Sequence, residues 1–275
     1  MQLEVISELA ASSERPPIVL LHGAWHGAWC WQSNFLPYFS SKGWTTHAIS
    51  LRGHGFSEGR EKLQWTSIED YVDDLAAFVD GLDSAPIIVG HSMGGFVLQK
   101  YLERHSVRGG VLLASVPPAG TLRFNLRLIR RHPLIWLKAN LTRQVYALVD
   151  KPAFAREWFF SDAVSDAEVQ THFSKIQDES YRASLDLLFL RRLKPGSVST
   201  PMAVLGGELD AIFPIADVCN TAKAYGVEAR IFEGMAHNLM SEPGWEQVAD
   251  HILDFADKCA TGSATDTAIA AADGH

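Results

Sequence analysis

Ser92, Asp210 and His237 are the residues of this chain whose types and order could do chemistry. Ser92 lies in Gly90-His91-Ser92-Met93-Gly94, a G-x-S-x-G pentapeptide between the apolar run Ile87-Ile88-Val89 and a helical pattern from Phe96 to His105. A serine at such a strand-to-helix corner sits on a tight, strained turn with its hydroxyl exposed above the sheet. Gly90 and Gly94 flank it because strand and helix approach too closely there for a Cβ. Chance supplies the pentapeptide in roughly one chain in ten of this length, so its partners carry the weight. A serine hydroxyl needs a base in contact to become a nucleophile, and the base needs a carboxylate to fix its tautomer. Asp210 lies in Gly206-Gly-Glu-Leu-Asp-Ala-Ile-Phe-Pro214, after the apolar run Met202–Leu205. His237 lies in Glu233-Gly-Met-Ala-His-Asn-Leu239, after Ala229–Phe232. Acid and base thus follow the serine along the chain, each in a loop after a later strand. The chemistry of such a set is acyl transfer. Glu208 is the competing acid, and Asp210 could alternatively form a turn or cap a helix.

The elements that must position these residues alternate. Strands are expected at Leu3–Leu9, Ile18–Leu21, Trp44–Leu51, Ile87–Val89, Gly110–Ser115, Met202–Leu205 and Ala229–Phe232. Helices are expected at Trp29–Phe39, Ile68–Leu82, Phe96–His105 and Trp245–Ala256. In the second of these, Val72, Leu75, Ala76 and Val79 repeat near 3.6 residues, and Ser67 with Asp70 reads as its N-cap. Apolar strands alternating with amphipathic helices predict an α/β fold with a mostly parallel central sheet covered on both faces.

The pattern changes after Pro118. From there to Pro195 no strand is expected; helical patterns occur at Thr121–Arg131 and Tyr181–Leu193, with the aromatic run Trp158-Phe159-Phe160 between them. Residues 119–194 hold thirteen Lys and Arg against eight Asp and Glu, whereas the whole chain carries a net −8. Residues 1–117 and 196–259 therefore read as the core, 118–195 as a helical cap or lid over the site, and 260–275, without periodicity, as a disordered tail. The lid's aromatics, leucines and arginines point to a medium acyl or aromatic substrate, although its apolar faces would equally serve to pack on the core.

Composition excludes several classes. With 47% hydrophobic and 20% charged residues the chain is that of an ordinary globular protein. The net negative charge argues against general nucleic-acid or anionic-membrane binding. Cys30, Cys219 and Cys259 show no C-x-x-C spacing and suit a reducing compartment. No signal peptide and no transmembrane run is read, so a cytoplasmic location is expected, with a homodimer left open. His22 and His26 lie in a Gly/Trp-rich loop, not on a helix face, so they are expected to brace backbone and not to hold a metal. His91 is expected to be structural. Trp25, Trp29 and Trp31 could line an aromatic substrate pocket, with packing beneath the loop at least as well supported for Trp29 and Trp31.

With the His22-Gly23 pair, the Arg52-Gly-His-Gly55 loop, Gly90-His-Ser-Met-Gly94, Asp210 and His237, the chain resembles the α/β-hydrolase superfamily from about Ile18 to Phe255. The resemblance implies the α/β-hydrolase fold with Ser92 as nucleophile, His237 as general acid/base and Asp210 as the orienting acid. It places oxyanion donors at the backbone N–H groups of Met93, the residue after the nucleophile, and of Ala24, in the loop after an earlier strand. Trp25, Trp158 and Phe159 are the candidate substrate contacts. The implied reaction is hydrolysis of a small to medium carboxylic ester, with water as co-substrate and no cofactor or metal.

Within that superfamily the run His22-Gly-Ala-Trp-His-Gly-Ala-Trp-Cys-Trp31 resembles plant methylesterases and hydroxynitrile lyases. The lyases usually carry threonine where this chain has Gly23, and lysine where it has Asn238, so cyanohydrin cleavage is disfavoured. The lid and Met235-Ala-His-Asn-Leu-Met240 resemble bacterial lysophospholipase and monoacylglycerol-lipase-like hydrolases. Many relatives carry an aspartate where this chain has Ser50, which bears on loop anchoring. A lactone, thioester or C–C substrate for the same triad stays open, as does a low-turnover ligand receptor on this scaffold.

Overall fold

Four strands are buried along their whole length: β2 (Ile18–Leu21), β4 (Ile87–His91), β5 (Gly109–Leu113) and β6 (Met202–Gly207). Continuous apolar burial is what a parallel sheet covered on both faces requires. The computed structural model describes residues 1–11, 14–190 and 193–262. Its sheet has seven strands in the order β1-β3-β2-β4-β5-β6-β7, with β1 (Val5–Glu8), β3 (Thr46–Ile49) and β7 (Ala229–Phe232) completing it. Only β1 runs antiparallel, pairing with β3 at one edge.

Period-2 alternation sorts the strand residues onto two faces. Val19, Leu21, Ile88 and Leu112 share one core with α3 (Ile68–Val79), α4 (Met93–Tyr101) and α10 (Ile215–Ala224); the helices are numbered in chain order, and α5–α9 lie in the insertion below. Ile18, Leu20, Val89, Val111 and Leu113 share the other with α1 (Trp29–Gln32), α2 (Phe35–Ser41) and α11 (Trp245–Thr261). The register is level at the C-terminal end: Leu21 pairs with Gly90, His91 with Leu113, Leu113 with Leu205, and Gly207 with Phe232. The loops after β2, β4, β6 and β7 therefore emerge along one edge.

Between β5 and β6 the chain forms α5 (Leu122–Arg131), α6 (Pro133–Thr142), α7 (Pro152–Phe159), α8 (Asp166–Phe173) and α9 (Tyr181–Leu185), with no strand among the described residues. Trp158, Phe159, Val164 and Val169 of this segment join the first of the two cores.

Several boundaries differ from expectation for local reasons. The Trp29–Phe39 helix breaks at Asn34, whose side chain donates to the Met240 carbonyl at 2.8 Å instead of continuing the helix. The helix after Ser92 begins at Met93, three residues earlier than read, because Gly94 and Gly95 are helical despite their low propensity. Tyr181 opens α9, but a π-helical turn follows at Asp186–Leu190, where the buried Asp186 carboxylate accepts from the Ile68 amide and Arg182. The closing helix continues to Thr261 and ends at Gly262 in the left-handed region, so Ala260 and Thr261 are helical, not part of a tail. The rest of that expected tail, 263–275, lies outside the described residues. The capping box of Ser67 and Asp70 is present in both directions.

Candidate active site

Ser92 occupies the corner between β4 and α4 at φ 51°, ψ −115°, left-handed backbone that a non-glycine residue adopts only under constraint. The constraint is steric and hydrogen-bonded. A Cβ at Gly90 would lie 2.6 Å from the Gly94 carbonyl oxygen, and one at Gly94 would lie 2.5 Å from that of His22. The Ser92 amide donates to Leu113 O at 3.0 Å, and its carbonyl accepts from the Val116 amide at 3.1 Å. Trp25 (φ 65°), after β2, and Ala114 (φ 43°), after β5, share this positive φ. Strain thus gathers at the ends of three adjacent strands.

Asp210 and His237 meet in the loops after β6 and β7. His237 Nδ1 donates to Asp210 Oδ2 at 2.8 Å, and both side chains are almost fully buried. Asp210 Oδ1 accepts the amides of Ile212 (2.8 Å) and Phe213 (2.9 Å), so the carboxylate is held on both oxygens. Asp210 therefore orders its own turn and contacts the histidine as well. Glu208 is exposed and accepts from the Gly234 amide, away from the ring. With Nδ1–H committed to Asp210, His237 keeps its lone pair on Nε2. Among the described residues Ser92 Oγ closes no hydrogen bond to that nitrogen; such contacts are often long in ligand-free enzymes and tighten with substrate.

The histidines read as braces have definite partners. His22 Nε2 accepts from the Leu51 amide at 3.0 Å, which leaves the proton on Nδ1 to donate to Gly23 O at 2.8 Å. Gly23 O and Ala24 N–H belong to one peptide plane, so His22 orients the expected donor. Burial, followed by the charge of nearby His54, holds His22 well below the ordinary histidine range, hence neutral. His26 Nδ1 bonds Ala24 O at 2.6 Å, and its Nε2 lies 2.8 Å from His172 Nε2 in α8. Burial lowers His26 to about 4. Met93 is the first residue of α4, where an amide has no intrahelical acceptor and the helix dipole favours negative charge.

Sequence reasoning missed how thoroughly the α7–α9 region is tied to these loops. The Asn238 amide donates to Phe159 O, and the Gln177 amide donates to Trp25 O, each at 3.0 Å. Glu179, fully buried, accepts from His54 Nε2 at 3.0 Å, from Tyr71 OH at 2.8 Å and from the Ser180 amide at 2.6 Å. Burial alone would raise its carboxyl, but His54 and these donors hold it below the ordinary carboxylate range. No local pattern marks such pairings, since Glu179 and His54 are 125 residues apart. The Ser50 difference also finds its reason. Ser50 Oγ donates to Glu4 Oε2 at 2.6 Å and accepts from the Ala28 amide at 2.8 Å, so a carboxylate from before β1 anchors this loop.

A cavity of about 100 Å³ lies beside the corner, lined by Ala24, Trp25 and Met93 on one side and by Phe124, Leu128, Trp136 and other insertion residues on the other. One water needs about 10–15 Å³ on this measure, so the space suits a short acyl or small aromatic group. Trp25 lines it, and its buried indole N–H has no partner among the described residues. Trp158 and Phe159 do not line it. Phe159 instead stacks 6.3 Å from the His237 ring and packs against Trp25, while Trp158 sits behind Phe124 and donates to Leu148 O. A Cβ at Gly23 would approach His91 Nδ1 to 2.8 Å and Ser92 Cβ to 2.9 Å, so a threonine does not fit there without rearrangement. No group of three or more His, Cys, Asp or Glu able to hold a metal occurs among the described residues, and no helix there is long and apolar enough to cross a membrane.

Residues 18–251 match the model of an alpha/beta hydrolase family. Norfluorocurarine synthase 2 of a Strychnos species is 34% identical over 118 residues, 42% of this chain and 44% of that protein. Monoacylglycerol lipase of Mycolicibacterium smegmatis is 23% identical over 238 residues, 79% of each. Methylesterase 3 of Arabidopsis thaliana is 32% identical over 92 residues, 33% of this chain and 35% of that protein. The chain thus spans less than half the length of the two plant relatives. Among solved structures, an esterase from Exiguobacterium antarcticum superposes with a TM-score of 0.75 at 17% identity, covering 93% of this chain and 95% of that one.

Proposed function

Because the chain belongs to the α/β hydrolase family, matching it from residue 18 to 251, we propose that it hydrolyses carboxylic esters through an acyl-enzyme on Ser92. The observation that carries this reading is the Asp210–His237 pair, with Nδ1 committed and Nε2 left as base, in loops level with the strained Ser92 corner. His237 Nε2 takes the hydroxyl proton as Ser92 Oγ attacks the ester carbonyl, and Asp210 stabilises the imidazolium that forms. The amides of Ala24 and Met93 receive the oxyanion. The imidazolium then protonates the leaving alcohol. In the second half His237 takes a proton from water, which attacks the acyl carbonyl and releases the acid and free Ser92.

The relatives named for acting on monoacylglycerols or methyl esters support ester chemistry for this chain as well. The segment 118–195 serves as the lid, and its α5 and α6 form one wall of the acyl site. Trp25 contacts the substrate through its ring and its unpaired N–H. Phe159 contacts it where it flanks His237, and Trp158 acts behind Phe124 as a support for the wall.

The test is labelling with a fluorophosphonate probe, together with turnover of p-nitrophenyl esters of increasing acyl length. Wild type is expected to label and to prefer short acyl chains, and Ser92→Ala to do neither. Wild type that resists the probe, or a mutant with equal turnover, would refute the assignment.

A further inference from the structure

The net charge of this chain conceals an uneven distribution. Residues 122–143 contain six Lys and Arg and no Asp or Glu. They build α5, α6 and the C-cap of α6, and the two helices pack against each other. Their inner faces are accounted for: Leu128 and Ala139 are buried and line the cavity. Each helix carries a second apolar stripe on its outside. Leu122, Leu126 and Ile129 repeat at i, i+4 and i+7 in α5; Leu134, Leu137 and Leu141 repeat at i, i+3 and i+7 in α6. All six are between 36% and 79% exposed. One apolar stripe is enough to dock a helix on a core, so folding does not explain the second.

The charges beside this stripe face water. Arg123, Arg131 and Lys138 are each more than half exposed, while the acids they pair with, Asp217, Glu157 and Asp150, are mostly buried to the side. Arg130 is exposed as well.

We propose that the outer face of α5 and α6 docks on the surface of an anionic lipid bilayer. The leucines would enter the boundary between headgroups and acyl chains, and the cations would meet the lipid phosphates. Two alternatives fit less well. A second copy of the same face would set its exposed cations, Arg130 and Arg143 among them, against the same cations. A nucleic acid offers nothing apolar to the leucines. The overall negative charge does not oppose docking, because at physiological salt the screening length is about 8 Å. The membrane therefore meets the local charge of these helices, and the acid-rich remainder of the chain helps to orient them toward it. This surface is independent of the catalytic reading, since none of its residues belongs to the proposed triad or oxyanion hole.

The experiment is co-sedimentation of the full chain with vesicles of phosphatidylcholine, with and without phosphatidylglycerol. Binding is expected only to vesicles containing phosphatidylglycerol, with release by salt. Arg130→Ala should weaken it roughly fivefold. The triple variant Leu126→Ser, Leu137→Ser, Leu141→Ser should weaken it by roughly tenfold or more, with an unchanged far-ultraviolet circular dichroism spectrum and unchanged turnover of a soluble short-chain ester. Wild type that stays in the supernatant, or a triple variant that binds as tightly as wild type, would overturn the proposal. So would a dimer that the triple variant dissociates while vesicles leave the protein unbound, for then a second copy covers this face.

Discussion

His91 Nε2 donates to the main-chain carbonyl of His237 at 3.1 Å, with the two rings 4.8 Å apart. The residue before the corner serine therefore holds the backbone of the candidate base. Both groups are buried, and burial above all keeps His91 well below the ordinary histidine range and so neutral. A neutral ring with its proton on Nε2 is the form this contact needs.

Replacing His91 by phenylalanine keeps a ring but leaves the His237 carbonyl without its donor. An unpaired buried acceptor costs about 1–3 kcal/mol. Urea unfolding should register that loss, and ester kcat should fall with KM little changed, because the base is displaced and not the binding wall. Wild-type stability together with wild-type kcat would show the contact to be incidental.

Asp210 and Glu208 are separated by a pair of substitutions. Asp210→Asn should lower kcat by about 10⁴, as expected when the base loses its orienting carboxylate. Glu208→Gln should stay near wild type, since Glu208 binds only the Gly234 amide. The reverse order of effects would reassign the acid.

Strain at Ser92 sets stability against activity. A non-glycine residue at φ 51° stores about 1–3 kcal/mol. Ser92→Gly should therefore be inactive yet more stable than Ser92→Ala, which is inactive and keeps the strain. Equal unfolding midpoints for the two variants would show that the corner is relaxed.

Buried histidines should make the fold sensitive to acid. Burial is the main cause holding His22, His26, His91 and His172 below the ordinary range, and His26 lies at about 4. In the unfolded chain a histidine titrates near 6.5. Above that pH neither state binds the proton and stability is full. For His26, between about 6.5 and 4 only the unfolded state binds it, and the others act in the same direction, so stability falls as pH falls. His26 alone accounts for about 3 kcal/mol across that window. Urea titrations from pH 7 to pH 4 should show the decline, with a shallower slope for His26→Gln; a flat profile for wild type would contradict it.

Local chemistry made much of this protein legible in advance. Ile18–Leu21 and Ala229–Phe232 have the bounds that their residues predict, because an apolar run closed by glycine, proline or charge is a local signal. Ser67 and Asp70 cap their helix as their spacing predicts, because capping is decided within four residues. The π turn after α9 was not legible: its cause is the buried Asp186 carboxylate bonded to the Ile68 amide, 118 residues away. Of the candidate aromatics, Trp25 lines the cavity, whereas Phe159 lies against His237 and Trp158 against Phe124. Periodicity shows that a helix has an apolar face, but not which neighbour that face meets.

The sequence by itself determined the strand-turn-helix corner at Ser92 and the order in which serine, acid and base follow one another. Backbone sterics and short-range hydrogen bonds act there. Tertiary structure alone decided that Asp210 and not Glu208 contacts His237, that His22 orients the peptide carrying the Ala24 amide, and that the segment after β5 is bonded to the loops around the site. Those outcomes depend on strand register and on pairs from 27 to 125 residues apart, whose closure is governed by the packing of the whole sheet. The same holds for the outer stripe of α5 and α6. A composition can count its leucines and arginines, but only the folded chain reveals which of them remain in water.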